Sequence, residues 1–319
     1  MNAPRIAVVG VGHMGRLHAE KLAQLAAEGA LSLAGVCDTD PRRAEEVAQK
    51  LGTRVIARVA DVAALADAAV IAVPTSDHAR TAELLLGAGV DCLVEKPIAT
   101  TRADARRLVA LARARGRLLQ VGHIERFSRA FREIRPALRK PRFIEAHRIG
   151  PYPARATDVS VVLDLMIHDL DIVAELAGAD AERVDAVGVP VLSKTEDIAN
   201  ARLRLAGGCV VNLTASRVSL ERLRKVRLFQ SDAYVSLDLG ENKITLVRRV
   251  GAIGGAEPPR ITAEKLEFDA ADALGEGAVL RQQRVRTRAE PEVTGEDGER
   301  ALDLALRIQE AIEPIEVDE

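Results

Sequence analysis

The chain has 319 residues, 48% of them hydrophobic and 29% charged, a composition that excludes disorder and, at this length, predicts two globular domains. Forty-five basic against 47 acidic side chains leave a formal net charge of −2, so there is no basic field to hold a nucleic acid.

Up to about residue 125 short apolar runs alternate with amphipathic stretches rich in Ala, Leu, Arg and Glu. The runs Arg5–Gly10, Leu31–Cys37, Ala69–Val73, Asp91–Val94 and Leu118–Val121 are strand candidates. Continuous apolar strands joined by helical crossovers imply a parallel sheet covered on both faces, a doubly wound α/β domain. Asp40 before Pro41, and Thr101 with Asp104, mark two helix starts.

Gly10, Gly12 and Gly15 form G-x-G-x-x-G directly after the first strand and open a helix at about His13. In that context Gly10 permits a tight turn, Gly12 lets a pyrophosphate approach the backbone, and Gly15 lets helix and strand pack closely. The helix N-terminus adds unpaired N–H groups and a positive dipole end. Asp38 ends the second strand, where a carboxylate can accept hydrogen bonds from the adenosine ribose and repel a 2′-phosphate, favouring NAD over NADP. Helix capping is the competing role for Asp38, and Asp40 already fills it.

Glu95-Lys96-Pro97 follows the Asp91–Val94 run at the carboxyl end of the sheet, where open α/β folds bind ligands. Lys96 can reach the nicotinamide side from there; taken alone it is equally an ordinary lysine in a turn.

After about residue 140 a period of two sets in. Ala201, Leu203 and Leu205 alternate with Asn200, Arg202 and Arg204, and Val235, Leu237 and Leu239 with Tyr234, Ser236 and Asp238. Half-buried antiparallel strands fit this pattern, with Gly207-Gly208 as a hairpin turn. The fold class expected is therefore α/β: an N-terminal Rossmann doubly wound parallel sheet, followed by a C-terminal α+β domain with a large, mainly antiparallel sheet. Residues 1–122 and 123–319 are the expected domains, with a C-terminal helix at about 297–313 packing back toward the first. Residues 251–259 and 289–299 read as loops.

Val159 to Leu176 interrupts the strand texture, nearly all apolar yet carrying Asp164, His168, Asp171 and Glu175. On a helix these share one face, with no lysine or arginine on the stripe and apolar residues elsewhere. An imidazole beside a carboxylate is a competent proton acceptor; the wet side of an amphipathic helix is the competing reading. His123, Arg126, Arg148 and Arg155 lie near the expected domain junction, where substrate-binding and structural roles are both open.

Cys37, Cys92 and Cys209 are widely spaced and in no metal-binding pattern, which argues against disulfides and zinc and for a reducing cytoplasm. No metal is expected. Met1 to Pro4 leads straight into the first strand without a signal peptide, and no run approaches the ~20 apolar residues of a membrane span.

The stretches GVGHMGRLHAEKL, CDTDP, AVPTSDH, VEKPIA, VGHIERF and LDLMIHDLDI resemble the glucose–fructose oxidoreductase/inositol dehydrogenase (Gfo/Idh/MocA) family over nearly the whole chain. The resemblance implies that Lys96, Asp164 and His168 form the catalytic group of an NAD-dependent dehydrogenase acting on a secondary alcohol of a cyclic sugar or inositol. His168 would take the hydroxyl proton, Asp164 would orient and stabilise its imidazole, and Lys96 would hydrogen-bond the developing alkoxide. It also implies dinucleotide contacts from His13, Met14, Pro74, Thr75, His78, Glu95 and Lys96, and a homodimer or homotetramer built on an exposed sheet face at residues 199–239. HIERF, the LDLMIHDLDI helix and NARLRL…GCVVNLTASRVS look most like enzymes that oxidise the 3-hydroxyl of UDP-N-acetylglucosamine. Ser128-Arg129 departs from the Asn-Pro that often follows Arg-Phe in such sequences. The alternatives are an inositol, dihydrodiol or imine substrate, or a non-catalytic dinucleotide-binding sensor; the sensor would be expected to lose the Lys–Asp–His set kept here.

Overall fold

The computed structural model describes residues 3–152, 159–251, 258–269, 274–275, 277–278 and 285–313. Residues 1–124 with 272–302 form one compact unit, and residues 125–271 with 303–319 form another. Among the described residues no helix is long and apolar enough to cross a membrane.

The first unit runs β1 (Arg5–Val9), α1 (His13–Ala27), β2 (Ser32–Cys37), α2 (Pro41–Leu51), α3 (Val62–Leu65), β3 (Ala68–Ile71), α4 (Thr75–Gly87), β4 (Asp91–Val94), α5 (Arg102–Arg115) and β5 (Leu119–Val121). All five strands pair in parallel in the order β2-β1-β3-β4-β5. Every residue of β3, β4 and β5 is buried, which is why these segments read as mainly apolar runs, broken only by the buried Asp91 and Gln120: helices cover both faces of the sheet. Beyond β2 the sheet continues as a single parallel bridge, Val36 to Val55. Both expected caps are present. The Asp40 carboxylate accepts from the Arg42 and Arg43 N–H groups with Pro41 in the first helical position, and Thr101 Oγ1 accepts from the Asp104 N–H. Chain direction across the sheet switches between β1 and β3, so the crevice at their carboxyl ends is where this topology places a ligand.

The second unit holds α6 (Arg129–Ile134), β6 (Phe143–Ile149), α7 (Ile167–Ala177), β7 (Ala181–Val189), β8 (Ile198–Leu205), β9 (Val210–Ser216), β10 (Leu223–Phe229), β11 (Ala233–Asp238), β12 (Lys243–Val250) and β13 (Arg260–Glu267). Its eight-stranded sheet has the order β13-β12-β11-β10-β6-β9-β8-β7, antiparallel throughout except for the parallel pair β6–β9. The two-residue period is realised in full along β8, where Ala199, Ala201, Leu203 and Leu205 are buried and Asn200, Arg202 and Arg204 exposed. Gly207 and Gly208 both take positive φ, 87° and 85°, which the tight turn between β8 and β9 requires.

A helix α8 (Gly295–Ala311) closes the described chain. It starts inside the stretch 289–299 that the sequence reads as loop, because a reciprocal capping box is present: Asp297 N–H donates to Thr294 Oγ1, and Thr294 N–H donates to the Asp297 carboxylate. Thr294 also bridges Gln120 of β5, and Val121 N–H donates to Val293 C=O. A Cβ on Gly298 would lie 2.4 Å from Val121, so that glycine serves close packing of the helix on β5 rather than a loop.

Candidate active site

The glycine loop divides its labour among three residues. Gly10 has φ +83°, and a Cβ there would lie 2.6 Å from the Ala72 carbonyl oxygen. A Cβ on Gly15 would fall 1.7 Å from the Gly10 carbonyl oxygen, whereas one on Gly12 meets nothing within 4 Å. Gly10 and Gly15 are thus required by the protein's own packing, and Gly12 leaves an open cradle at the N-terminus of α1. His13, the first residue of α1, is exposed, and Met14 is half-buried.

Asp38 lies just beyond β2 and grips this loop. Its Oδ2 accepts from Val11 N–H at 2.7 Å and its Oδ1 from Asp40 N–H at 2.9 Å, with Arg43 at 3.4 Å from Oδ1. A carboxylate offers about four acceptor directions, so ribose hydroxyls can still be accommodated.

The E-K-P turn at the end of β4 is held from both sides. His18 Nε2 and Glu95 Oε1 are 2.6 Å apart, and both side chains are buried. Glu95 Oε2 accepts from Lys96 N–H at 3.3 Å. Burial alone would raise the Glu95 carboxyl, but the His18 hydrogen bond, the charges of His18 and Lys96, and the Lys96 N–H hold it below the ordinary carboxylate value. A Cβ on Gly122 would lie 2.9 Å from this carboxylate, so a larger residue there would push Glu95 out of its present position. On the other side, His78 of α4 places Nδ1 2.8 Å from Pro97 C=O and Nε2 2.9 Å from Val73 C=O. Burial depresses the His78 imidazole's proton affinity, the two carbonyls opposing. A neutral imidazole has one N–H, so His78 donates to one of these two loop carbonyls and holds its other nitrogen against the second. Pro74, preceding α4, is exposed and Thr75 is half-buried. Lys96 is half-buried.

In the second unit the Asp164–His168 segment is not a uniform α-helix. Val162–Met166 forms a π-helical turn that runs into α7, a local widening often found at functional sites. Asp164 and His168 are both half-buried. The expected acidic stripe does not stand alone, and the remaining faces are not all apolar. Asp171, fully buried, receives Arg126 in a fork, Nε to Oδ2 at 2.9 Å and Nη2 to Oδ1 at 2.8 Å, while Arg126 Nη1 donates to Glu175 at 2.7 Å. Asp169, buried on another face, takes the same fork from Arg148 of β6 at 3.0 Å on both arms, with Glu125 on the remaining nitrogen at 2.8 Å. Burial works against the Arg148 charge, but Asp169 and Glu125 more than offset it and keep the guanidinium above its ordinary value. Arg126 and Arg148 thus act as struts that fix α7, and their donors point to carboxylates of their own unit. His123 is buried; Arg155 lies outside the described residues. Ser128 caps α6 by accepting from Phe131 N–H, and Arg129 stacks over Phe268.

A further strut escaped sequence reasoning. Arg217 is 1% exposed and donates to Asp197, Ser193, Thr195 and the Val159 carbonyl, tying the approach to the π turn to the loop after β7. Asp197 in turn accepts from the Val191, Leu192 and Ser193 N–H groups. No local pattern marks that pair. His18 did carry a signal: three residues past Gly15, it lies on the same buried face of α1.

A family model for the oxidoreductase family with an NAD-binding Rossmann fold matches residues 4–123, and one for the GFO/IDH/MocA C-terminal domain matches residues 122–235. The chain belongs to the Gfo/Idh/MocA oxidoreductases. Among relatives in this family, the UDP-N-acetylglucosamine 3-dehydrogenase of Acidithiobacillus ferrooxidans is 38% identical over 97% of each chain. A solved structure of that enzyme superposes with a TM-score of 0.89, at 37% identity and 98% coverage of both chains. A myo-inositol dehydrogenase of Streptomyces leeuwenhoekii is 32% identical over 57% of this chain and 58% of its own. As a Gfo/Idh/MocA member the protein is an NAD-dependent dehydrogenase, and its first unit fits that cofactor: the open cradle at Gly12, the N-terminus of α1 and the Asp38 carboxylate are what a dinucleotide's pyrophosphate and ribose need.

Proposed function

We propose that the protein oxidises the 3-hydroxyl of UDP-N-acetylglucosamine, with Lys96, Asp164 and His168 serving that one reaction. The observation that carries the substrate assignment is the likeness to the Acidithiobacillus ferrooxidans enzyme along essentially the entire length of both chains. Bound NAD supplies the acceptor for the hydrogen that leaves carbon 3 with its electron pair. Gly10, Gly12, His13, Met14, Gly15, Asp38, Pro74 and Thr75 hold the dinucleotide, with Glu95 and His78 shaping the turn that carries Lys96. His168 takes the hydroxyl proton, and Asp164 orients the imidazole and stabilises its charged form. Lys96 donates a hydrogen bond to the substrate oxygen as charge builds on it.

Arg126 and Arg148 enter this scheme through α7, whose fixed position sets the aim of His168; His123 and Arg155 are the proposed substrate contacts that remain. Residues 1–122 are the proposed cofactor domain and 123–319 the substrate and assembly domain. A homodimer or homotetramer through the outward sheet face of residues 199–239 is the proposed assembly, read by sedimentation. The test of function mixes the purified protein with NAD and UDP-N-acetylglucosamine, UDP-N-acetylgalactosamine, myo-inositol or free hexoses and follows absorbance of the reduced nicotinamide. Turnover with UDP-N-acetylglucosamine that Lys96→Met abolishes is expected. Turnover only with an inositol overturns the substrate, and silence with every compound overturns the enzyme reading.

A further inference from the structure

The E-K-P turn carries one working side chain on a loop, the class of element with the greatest intrinsic freedom, and a lysine adds four flexible bonds to it. Delivering an ammonium to a reacting oxygen to within a fraction of an ångström requires that the backbone beneath it be immobile. The structure supplies that from two buried histidines. His18 Nε2 meets Glu95 on the N-terminal side of Lys96, and the other oxygen of Glu95 accepts the N–H of Lys96 itself. On the C-terminal side the His78 ring, with its proton on Nδ1, donates to the Pro97 carbonyl at 2.8 Å, and Nε2 lies 2.9 Å from the Val73 carbonyl after β3. The two rings are 1% and 2% exposed.

Both histidines belong to helices that begin at the carboxyl edge of the sheet, α1 after the glycine loop and α4 after β3. The segment that would hold the pyrophosphate and the turn that carries Lys96 are thereby linked through His18 and Glu95 across 77 residues of sequence. The link is not the least costly way to fill that space. Nδ1 of His18 is buried without a hydrogen-bond partner among the described residues, a penalty that a leucine would avoid, and the Glu95 carboxylate is kept charged in the core only by its partners. An arrangement selected for stability alone would be apolar.

We propose that His18 and His78 are positioning residues for Lys96, bracing the peptide units on either side of it so that its ammonium meets the substrate oxygen in one orientation. The inference rests on Lys96 acting in the reaction.

The test uses the full chain with NAD and UDP-N-acetylglucosamine, unlabelled and deuterated at carbon 3. The variants are His18→Leu, His78→Leu, His18→Gln, His78→Asn and Lys96→Met. The amides of glutamine and asparagine place a donor nitrogen near Nε2 and Nδ1 respectively. Expected are a fall in kcat of roughly 10- to 100-fold in each leucine variant, a larger deuterium isotope effect on kcat, and a Kd for NAD within about threefold of the parent, a limit set to separate binding from positioning. His18→Gln and His78→Asn should recover most of the rate and the parental isotope effect. If the leucine variants do not fold, as read by circular dichroism and the loss of a cooperative melting transition, the amide variants decide: either one binding NAD normally yet as slow as Lys96→Met overturns the proposal, as does a folded leucine variant that has lost NAD binding. Leucine variants with parental kcat and isotope effect overturn it too. Lys96→Met separates the two levels: if it turns over normally, the role of Lys96 falls and the brace with it; if it is dead while the leucine variants are normal, the brace alone falls.

Discussion

Replacing Arg126 by methionine tests whether this arginine is a strut or a substrate contact. The side chain is 3% exposed and makes three charge-assisted hydrogen bonds, two to Asp171, which is 0% exposed, and one to Glu175. Methionine matches the length of the aliphatic stem, so the change removes charge and donors with little loss of volume. What remains is a carboxylate in the core without a cation, and breaking one side of such a buried pair costs about 3–5 kcal/mol. For a unit of this size that corresponds to roughly 6–20 °C in melting temperature. Arg126→Lys restores the charge but not the planar fork and should recover only part of the loss. The double variant Arg126→Met with Asp171→Leu removes the stranded charge and should be more stable than Arg126→Met alone. Calorimetry on the parent, Arg126→Met, Asp171→Leu and the double variant completes a double-mutant cycle, with a coupling of at least ~2 kcal/mol expected between directly paired buried groups. A loss below about 1 kcal/mol in Arg126→Met, or a double variant no better than the single, would refute the reasoning. If stability held and KM for the sugar substrate alone rose, Arg126 would be a substrate ligand after all.

Three further outcomes follow from the geometry. Gly15→Ala drives a methyl group into the Gly10 carbonyl and should prevent folding of the first unit, whereas Gly12→Ala meets only open space; it should melt normally and lose NAD affinity by at least ~10-fold, because the methyl fills the pyrophosphate's approach, and isothermal titration beside a melting curve separates the two. Asp38→Ala removes the acceptor for Val11 N–H and releases Arg43. It should weaken NAD and improve NADP, shifting the ratio of kcat/KM values by about 10- to 100-fold as a carboxylate is exchanged for a freed guanidinium; an unchanged ratio would remove Asp38 from cofactor selection. Asp197 is held well below the ordinary carboxylate value, since burial is outweighed by backbone N–H groups and Arg217. A depressed folded-state value means that the unfolded chain binds the proton first, so this stabilisation is complete above pH ~4 and is lost as pH falls below it. Asp197→Asn should be less stable at pH 7, and its stability should fall less steeply than the parent's in acid unfolding; identical slopes would show that Asp197 contributes nothing to the pH dependence.

Much of this protein is local in its sequence logic. The five parallel strands are legible because strands covered on both faces are mainly apolar along their length, and the β8–β9 hairpin because a sheet with one wet face must alternate and its turn must take positive φ at Gly207 and Gly208. The glycine loop is legible for a similar reason: each of its residues answers to atoms a few positions away or to one neighbouring strand. The stretch 289–299 misleads because its glycines serve close packing against β5, a partner some 170 residues earlier.

What sequence could not deliver is the pairing of charges. Arg126, Arg148 and Arg217 look alike in the chain, as surface arginines or as substrate ligands, and nothing in their spacing names Asp171, Asp169 or Asp197 as partners. A buried ion pair obeys no periodicity; it exists wherever folding brings two charges out of water together, and the choice of partner is made by long-range topology. The same holds for the partners of His18 and His78, which lie 77 and 19 residues away at Glu95 and Pro97. Sequence alone determined the elements, the fold class and the residue types available for chemistry, because those follow from short-range sterics and from the period of burial. Tertiary structure alone decided which ionisable side chains are paired in the core, because those partners meet only through long-range topology.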